Sequence, residues 1–233
     1  MWQLTINRLN SRFTVTGVLT AVLVMSLTCS ISMRYGHADT PIAETADQAQ
    51  PLQVGQSAPQ FVVRTVDNEA FAFDPRKLEQ PTVLITFRGG WCPFCNMHLS
   101  ELKDIVAEID ALGVEVLFLS GDRPELLYKS LSLETREDIA GLDYTILSDA
   151  DAQAAIALGI AFKASQKTID RRNEKQQDIG DSSMLRHGIL PVPSVFAIWR
   201  DGVIGYVYSN PNYKVRLPAG ELMQVVRELA TSK

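Results

Sequence analysis

Cys92 and Cys95 stand three positions apart in Trp91-Cys92-Pro93-Phe94-Cys95, directly after an apolar run and directly before a helical pattern. Such a pair at a strand-to-helix junction can close and reopen a disulfide, so it can move electrons two at a time. The start of a helix offers unpaired N–H groups and the positive end of the dipole, and both stabilise a thiolate. In such a setting a cysteine pKa falls from about 8.5 into the range of roughly 3.5–7.5. Pro93 suits the first helical turn and brings no charge. Phe94 is equally neutral, which leaves the helix N–H groups as the stabilising groups; Arg88, four residues before Cys92, either joins them or is solvated, since a loop side chain can point either way. Trp91 is placed either to shield the dithiol or to pack in the core. His98 follows Cys95 by three, but Cys-x-x-Cys-x-x-His is one ligand short of a closed structural zinc site. His98 is therefore expected to be solvated or capping, and His187 likewise. No metal is expected, and no organic cofactor, because no glycine-rich dinucleotide fingerprint occurs.

The elements that must position this pair are partly legible. Residues 82–87 read as a buried central strand. Leu99, Leu102, Ile105, Val106, Ile109 and Leu112 then recur at helical spacing, with Glu101, Asp104, Glu108 and Asp110 opposite and Gly113 as the stop. Residues 114–119 form a second buried strand. Pro124 opens a helix expected to reach about residue 139. Residues 144–147 read as a short strand and residues 150–158 as a helix ended by Gly159. Ahead of the pair, residues 61–64 and 71–73 look like strands joined by a turn. Residues 194–199 and 203–208 form a hairpin at Asp201-Gly202. The last helix spans about 218–230, with Leu222, Val225, Val226 and Leu229 inward. Residues 161–188 carry no clear pattern, and their charged run at 170–175 reads as a solvated face. Strands alternating with helices, then a hairpin, imply an α/β fold with a mixed central sheet flanked by helices and an N-terminal strand extension.

At 233 residues and 46% apolar composition, one domain with a sizeable core fits easily. The net charge of −5, without a basic stripe, argues against nucleic acid as a partner. Residues 1–38 stand apart: Arg8 and Arg12 precede an apolar stretch at 13–33, Arg34 follows it, and no acid occurs before Asp39. This is an export-signal pattern, with Gly36-His37-Ala38 as the cleavage site. About 20 apolar residues also span a bilayer, so a membrane anchor at 13–33 is the competing reading. Either one places the folded part in an extracytoplasmic space, periplasmic or secreted, where disulfides persist. Residues 39–54, rich in Ala, Gln, Thr and Pro, read as a flexible linker, which leaves 55–233 as the redox domain. Cys29 lies in the leader, so Cys92 and Cys95 are the only pair the exported part keeps.

The string Phe87-Arg88-Gly89-Gly90-Trp91-Cys92-Pro93-Phe94-Cys95-Asn96 resembles the peroxiredoxin-like branch of the alkyl hydroperoxide reductase/thiol-specific antioxidant (redoxin) family, within the thioredoxin-like superfamily. Gly55-x-x-Ala58-Pro59-x-Phe61, Leu147-Ser148-Asp149 and Leu190-Pro191-Val192-Pro193-Ser194-Val195-Phe196 with Arg200-Asp201-Gly202 agree with it. The resemblance covers about residues 55–230. It implies a thioredoxin-like fold in which Pro193 is a cis-proline abutting the dithiol. It also implies a thiol-dependent redox enzyme acting on a disulfide, of a protein or a small molecule, or on a peroxide, with an external thiol as electron donor. Peroxiredoxins carry Pro-x-x-x-Thr-x-x-Cys and a distant Arg. With Cys95 in the peroxidatic place, the Pro position holds Arg88, the Thr position holds Cys92, and the Arg position falls near Pro193. A vicinal dithiol facing a proline stands there instead. Thiol–disulfide exchange is therefore the first expectation, with Cys92 attacking and Cys95 resolving. Peroxide reduction, with the two roles exchanged, is the second, and copper delivery the third.

Overall fold

The computed structural model describes residues 41–231. Strands β1 (Phe61–Arg64) and β2 (Ala70–Phe73) form the first hairpin, and β3 (Thr82–Phe87) leads through the cysteine loop into helix α1 (Pro93–Ala111). Strand β4 (Glu115–Ser120), helix α2 (Leu133–Asp138), strand β5 (Thr145–Ser148) and helix α3 (Gln153–Ala157) follow. A smaller pair, β6 (Ala161–Lys163) and β7 (Ile189–Pro191), brackets helices α4 (Gln166–Glu174) and α5 (Ser183–His187). Strands β8 (Ser194–Ile198) and β9 (Ile204–Ser209) and helix α6 (Ala219–Thr231) complete the chain.

The main sheet has seven strands in the order β2-β1-β5-β4-β3-β8-β9. The central β3–β4 and β4–β5 pairs are parallel, and the outer pairs are antiparallel. The sheet is thus mixed, as expected. Every residue of β3 is buried, because both faces of the sheet are covered. Alternation divides the core in two. Val83, Ile85, Phe118 and Val195 face one side, where Leu99, Leu102, Val106 and Ile109 of α1 and Leu222, Val226 and Leu229 of α6 meet them. Leu84, Leu117, Leu119 and Phe196 face the other, against Ala154, Ala155 and Leu158.

Residues 41–54, read above as a flexible linker, lie against this second layer. Ile42, Ala46, Ala49 and Leu52 pack on it, Ala43 pairs with Phe162, and Leu52 N–H donates to Leu158 O at 3.1 Å. The apolar residues are too few and too irregularly spaced to announce themselves, but each finds a place on an otherwise open apolar face.

The helix expected over 124–139 is broken. A 3-10 turn at Pro124–Leu126 ends early, and α2 begins only after Ser132, whose side chain accepts from Thr135 N–H. Between them, Ser130 Oγ donates to Asp122 and Ser132 N–H to Asn96 Oδ1 of α1. The helix read at 150–158 shortens to α3, since Ala152 adopts a left-handed φ of 56° and Asp149 caps the helix by accepting from Ala154 N–H and Ala155 N–H. Residues 13–33 lie outside the described residues. Among the described residues no helix is long and apolar enough to cross a membrane.

Candidate active site

The carboxyl ends of the parallel strands β3 and β4 share one edge, in register from Thr82↔Glu115 to Phe87↔Ser120. Ligands and reactive groups of open α/β sheets collect at such an edge. The cysteine loop leaves β3 there, and Asp122 follows β4. The loop needs glycine twice. Gly89 has a φ of 142°, and a side chain on it would collide with Trp91 Nε1 and Asp122 Oδ1. A side chain on Gly90 would strike Ser130.

Cys92 is the N-cap of α1 and Pro93 its first helical residue. Cys92 O accepts from Cys95 N–H at 2.9 Å and Asn96 N–H at 3.2 Å. The Asn96 side chain, which drew no attention in the sequence, clamps the loop. Its Nδ2 donates to Gly90 O at 2.6 Å and Cys92 O at 3.0 Å, and its Oδ1 accepts from Ser132 N–H at 2.7 Å. Asp122 holds the other side, accepting from Gly90 N–H at 2.7 Å and Ser130 Oγ at 2.8 Å. Burial pushes its pKa up to about 6, against those hydrogen bonds.

The two thiols are free and hydrogen-bonded to each other. They are not equivalent. The Cys95 thiol is the main cause that lowers Cys92, to about 6; the Cys95 N–H and the fields of Arg88 and Arg216 add to it, while burial opposes. Cys95, 1% exposed, is raised by burial first and then by its place beside Cys92. One sulfur is thus a thiolate near neutral pH, and the other is a protonated thiol behind it.

Arg88 is not solvated. It is 8% exposed, with its guanidinium 4.6 Å over the Tyr213 ring and 5.5 Å from the Trp91 ring. Trp91 is buried, and its other contact is Arg172, whose guanidinium lies 4.7 Å over the ring. The charged run at 170–175 is therefore not wholly a solvated face, because Arg172 of α4 turns inward to the dithiol loop. Pro193 lines one cavity with Cys92, Pro93 and Arg88. All six residues singled out from the sequence (Arg88, Trp91, Cys92, Pro93, Cys95 and Pro193) thus meet at one edge of the sheet.

The loop after β9 supplies what the sequence did not reveal. Arg216 Nη2 lies 3.5 Å from Cys95 Sγ, and its Nη1 donates to Tyr213 O and, at 3.1 Å, to Val215 O. The one available signal was a run of turn residues, Asn210-Pro211-Asn212, followed by Lys214 and Arg216. His98 is also corrected: it is 4% exposed, with Nε2 3.2 Å from Leu217 O. Burial, and then the charge of Arg216, lowers it to about 4, so the ring is neutral. His187 lies away from the dithiol, near Asp151. Among the described residues no three of His, Cys, Asp and Glu converge as metal ligands.

The model of the AhpC/TSA family matches residues 54–207. The chain belongs to the AhpC/TSA family. Among relatives of this AhpC/TSA protein, the thiol-disulfide oxidoreductase ResA of Halalkalibacterium halodurans is 27% identical over 46% of this chain and 57% of that one. Peroxiredoxin Bcp of Escherichia coli is 29% identical over 47% of this chain and 66% of its own. The match thus spans less than two thirds of either relative. The crystal structure of a peroxiredoxin-like protein from Aquifex aeolicus superposes with a TM-score of 0.53 at 25% identity, covering 77% of this chain and 89% of that one. The thioredoxin-like fold of the AhpC/TSA chain is therefore shown from both directions.

Proposed function

We propose that this protein is a thiol–disulfide oxidoreductase whose nucleophile is Cys92 and whose resolving thiol is Cys95. The carrying observation is the asymmetry of the pair: a lowered Cys92 at a helix N-cap, lining a cavity, with a raised Cys95 buried behind it. The Cys92 thiolate attacks one sulfur of a substrate disulfide, and the first thiolate leaves. Cys95 gives up its proton and attacks Cys92 Sγ, the second thiol leaves, and the Cys92–Cys95 bond closes. Two electrons have passed to the substrate, and an external thiol donor restores the dithiol. Arg88 and Arg216 act as positioning charges, Trp91 and Pro193 as walls of the cavity. The leader composition supports an extracytoplasmic place for this chemistry, with residues 1–38 as export signal or membrane tether and residues 55–233 as the redox domain.

Peroxide reduction is the second reading, and Arg216 beside Cys95 favours it, since a cation at that sulfur would help it attack a peroxide. The burial of Cys95 and its raised pKa weigh on the other side. Single variants separate the two. Cys95→Ser should accumulate a mixed disulfide on Cys92, seen by mass spectrometry, while Cys92→Ser stays inert to disulfides. If Cys92→Ser instead gathers sulfenic acid on Cys95 within the wild-type turnover time in peroxide, the roles are those of a peroxidase.

A further inference from the structure

Cys92 is 2% exposed and is reached through a cavity of about 470 Å³ whose charged lining has one sign. Arg88, Arg171, Arg172, Lys175 and Lys214 line it, and no Asp or Glu does. None of the five is in an ion pair among the described residues. Arg88 goes further: it is 8% exposed, yet its Nε has no hydrogen-bond partner, and aromatic rings rather than a carboxylate flank it. A buried cation is normally paired. This cluster forms in a chain whose net charge is −5, so it is opposite in sign to the rest of the molecule.

The volume falls within the roughly 300–1,000 Å³ of small-molecule sites. A disulfide on a folded protein surface does not reach a sulfur so enclosed without movement of the loops around it. We propose that the cavity takes a small disulfide bearing carboxylates, and that these five cations select it by charge. The proposal rests on the disulfide-exchange reading above and names its substrate class. The Cys92 thiolate is the one anion facing Arg88, so five cations share one negative charge; a carboxylate supplies the rest of the counter-charge and brings the S–S bond to Cys92. Exchange then yields two carboxylate thiols and the Cys92–Cys95 disulfide, with electrons balanced as in that reaction.

Two measurements test it. The first alkylates Cys92 in the reduced protein with iodoacetate or iodoacetamide at one pH. Both reagents use the same thiolate, so their rate ratio reports the field in the cavity and not the pKa. Relative to a free cysteine peptide, the ratio should favour iodoacetate by about 10-fold or more at low salt. It should fall towards the peptide value near 1 M salt, where the screening length is about 3 Å. Arg171→Gln, Lys175→Gln and Lys214→Gln, all on exposed side chains, should each lower it. A ratio equal to that of the peptide and indifferent to salt overturns the proposal.

The second follows oxidation of the reduced protein by 3,3′-dithiodipropionate, bis(2-hydroxyethyl) disulfide and cystamine. The anionic reagent should be fastest and the cationic one slowest at low salt. Equal rates for all three overturn charge selection and leave disulfide exchange standing. An iodoacetate preference with no reaction towards any disulfide leaves an anion-selective cavity and removes the disulfide reading.

Discussion

Cys92 carries a thiolate because several weak donors converge on one sulfur, and each can be removed singly. The rate of iodoacetamide alkylation at Cys92 should rise with pH through about 6 and level off by neutrality, since the reactive form is the deprotonated one. Replacing Arg216 by Gln removes one of the lowering charges and should move that midpoint upward. In Cys92→Ser the remaining Cys95 should be alkylated only well into the alkaline range, because its burial persists. The vicinal pair was legible in the sequence because spacing and the position before a helix are local properties. The guanidinium beside Cys95 was not, since Arg216 is 121 residues distant and only the packing of the β9–α6 loop brings it there.

The element that matters most is the junction between β3 and α1, fixed from behind by Asn96 and Asp122. Asn96→Ala would leave the buried Gly90 O without its partner and release Ser132 N–H to solvent. The orphaned carbonyl costs about 1–3 kcal/mol, so the variant should unfold at lower denaturant and exchange disulfides more slowly. The same junction explains why α2 is short. Pro124 and the residues after it favour a helix locally, and Ser130 N–H still reaches Leu126 O, but Ser132 N–H is diverted to Asn96 Oδ1, which interrupts the helical ladder. A periodic pattern cannot register that loss. The central strands and α1, whose patterns are strong, were readable, whereas α4 and α5 were not, because their apolar residues are sparse and their packing is set by distant elements.

The whole molecule couples stability to pH through groups of opposite sign. His98 is lowered to about 4 in the fold, so the stability it contributes is present above its ordinary pKa of 6.5 and is lost as pH falls towards 4. Asp122 and Asp149, raised to about 6 and about 7 by burial, act the other way: their contribution is full below 3.8 and disappears as pH rises through those values. Urea unfolding between pH 4 and 8 should therefore show a shallower acid loss in His98→Gln and a shallower decline towards neutrality in Asp149→Asn. Deleting residues 41–54 uncovers part of the second core layer. With about 1.5–3 kcal/mol for each fully buried large aliphatic side chain, and these only partly buried, a loss of about 2–4 kcal/mol is expected by the same measurement.

Sequence alone determined the vicinal cysteines, the strand-to-helix junction that holds them, the mixed sheet beneath, and the net charge of the chain. All of these follow from local spacing, propensity and apolar period, which neighbouring residues settle among themselves. Tertiary structure decided which thiol is lowered and which is raised, that Arg88 and Arg172 both lie near the Trp91 ring, that Arg216 reaches Cys95, and that five cations line one cavity. Those are long-range contacts made when separate loops close over the same sheet edge. Burial and electric field depend on every element that packs there, and no single stretch of chain encodes them.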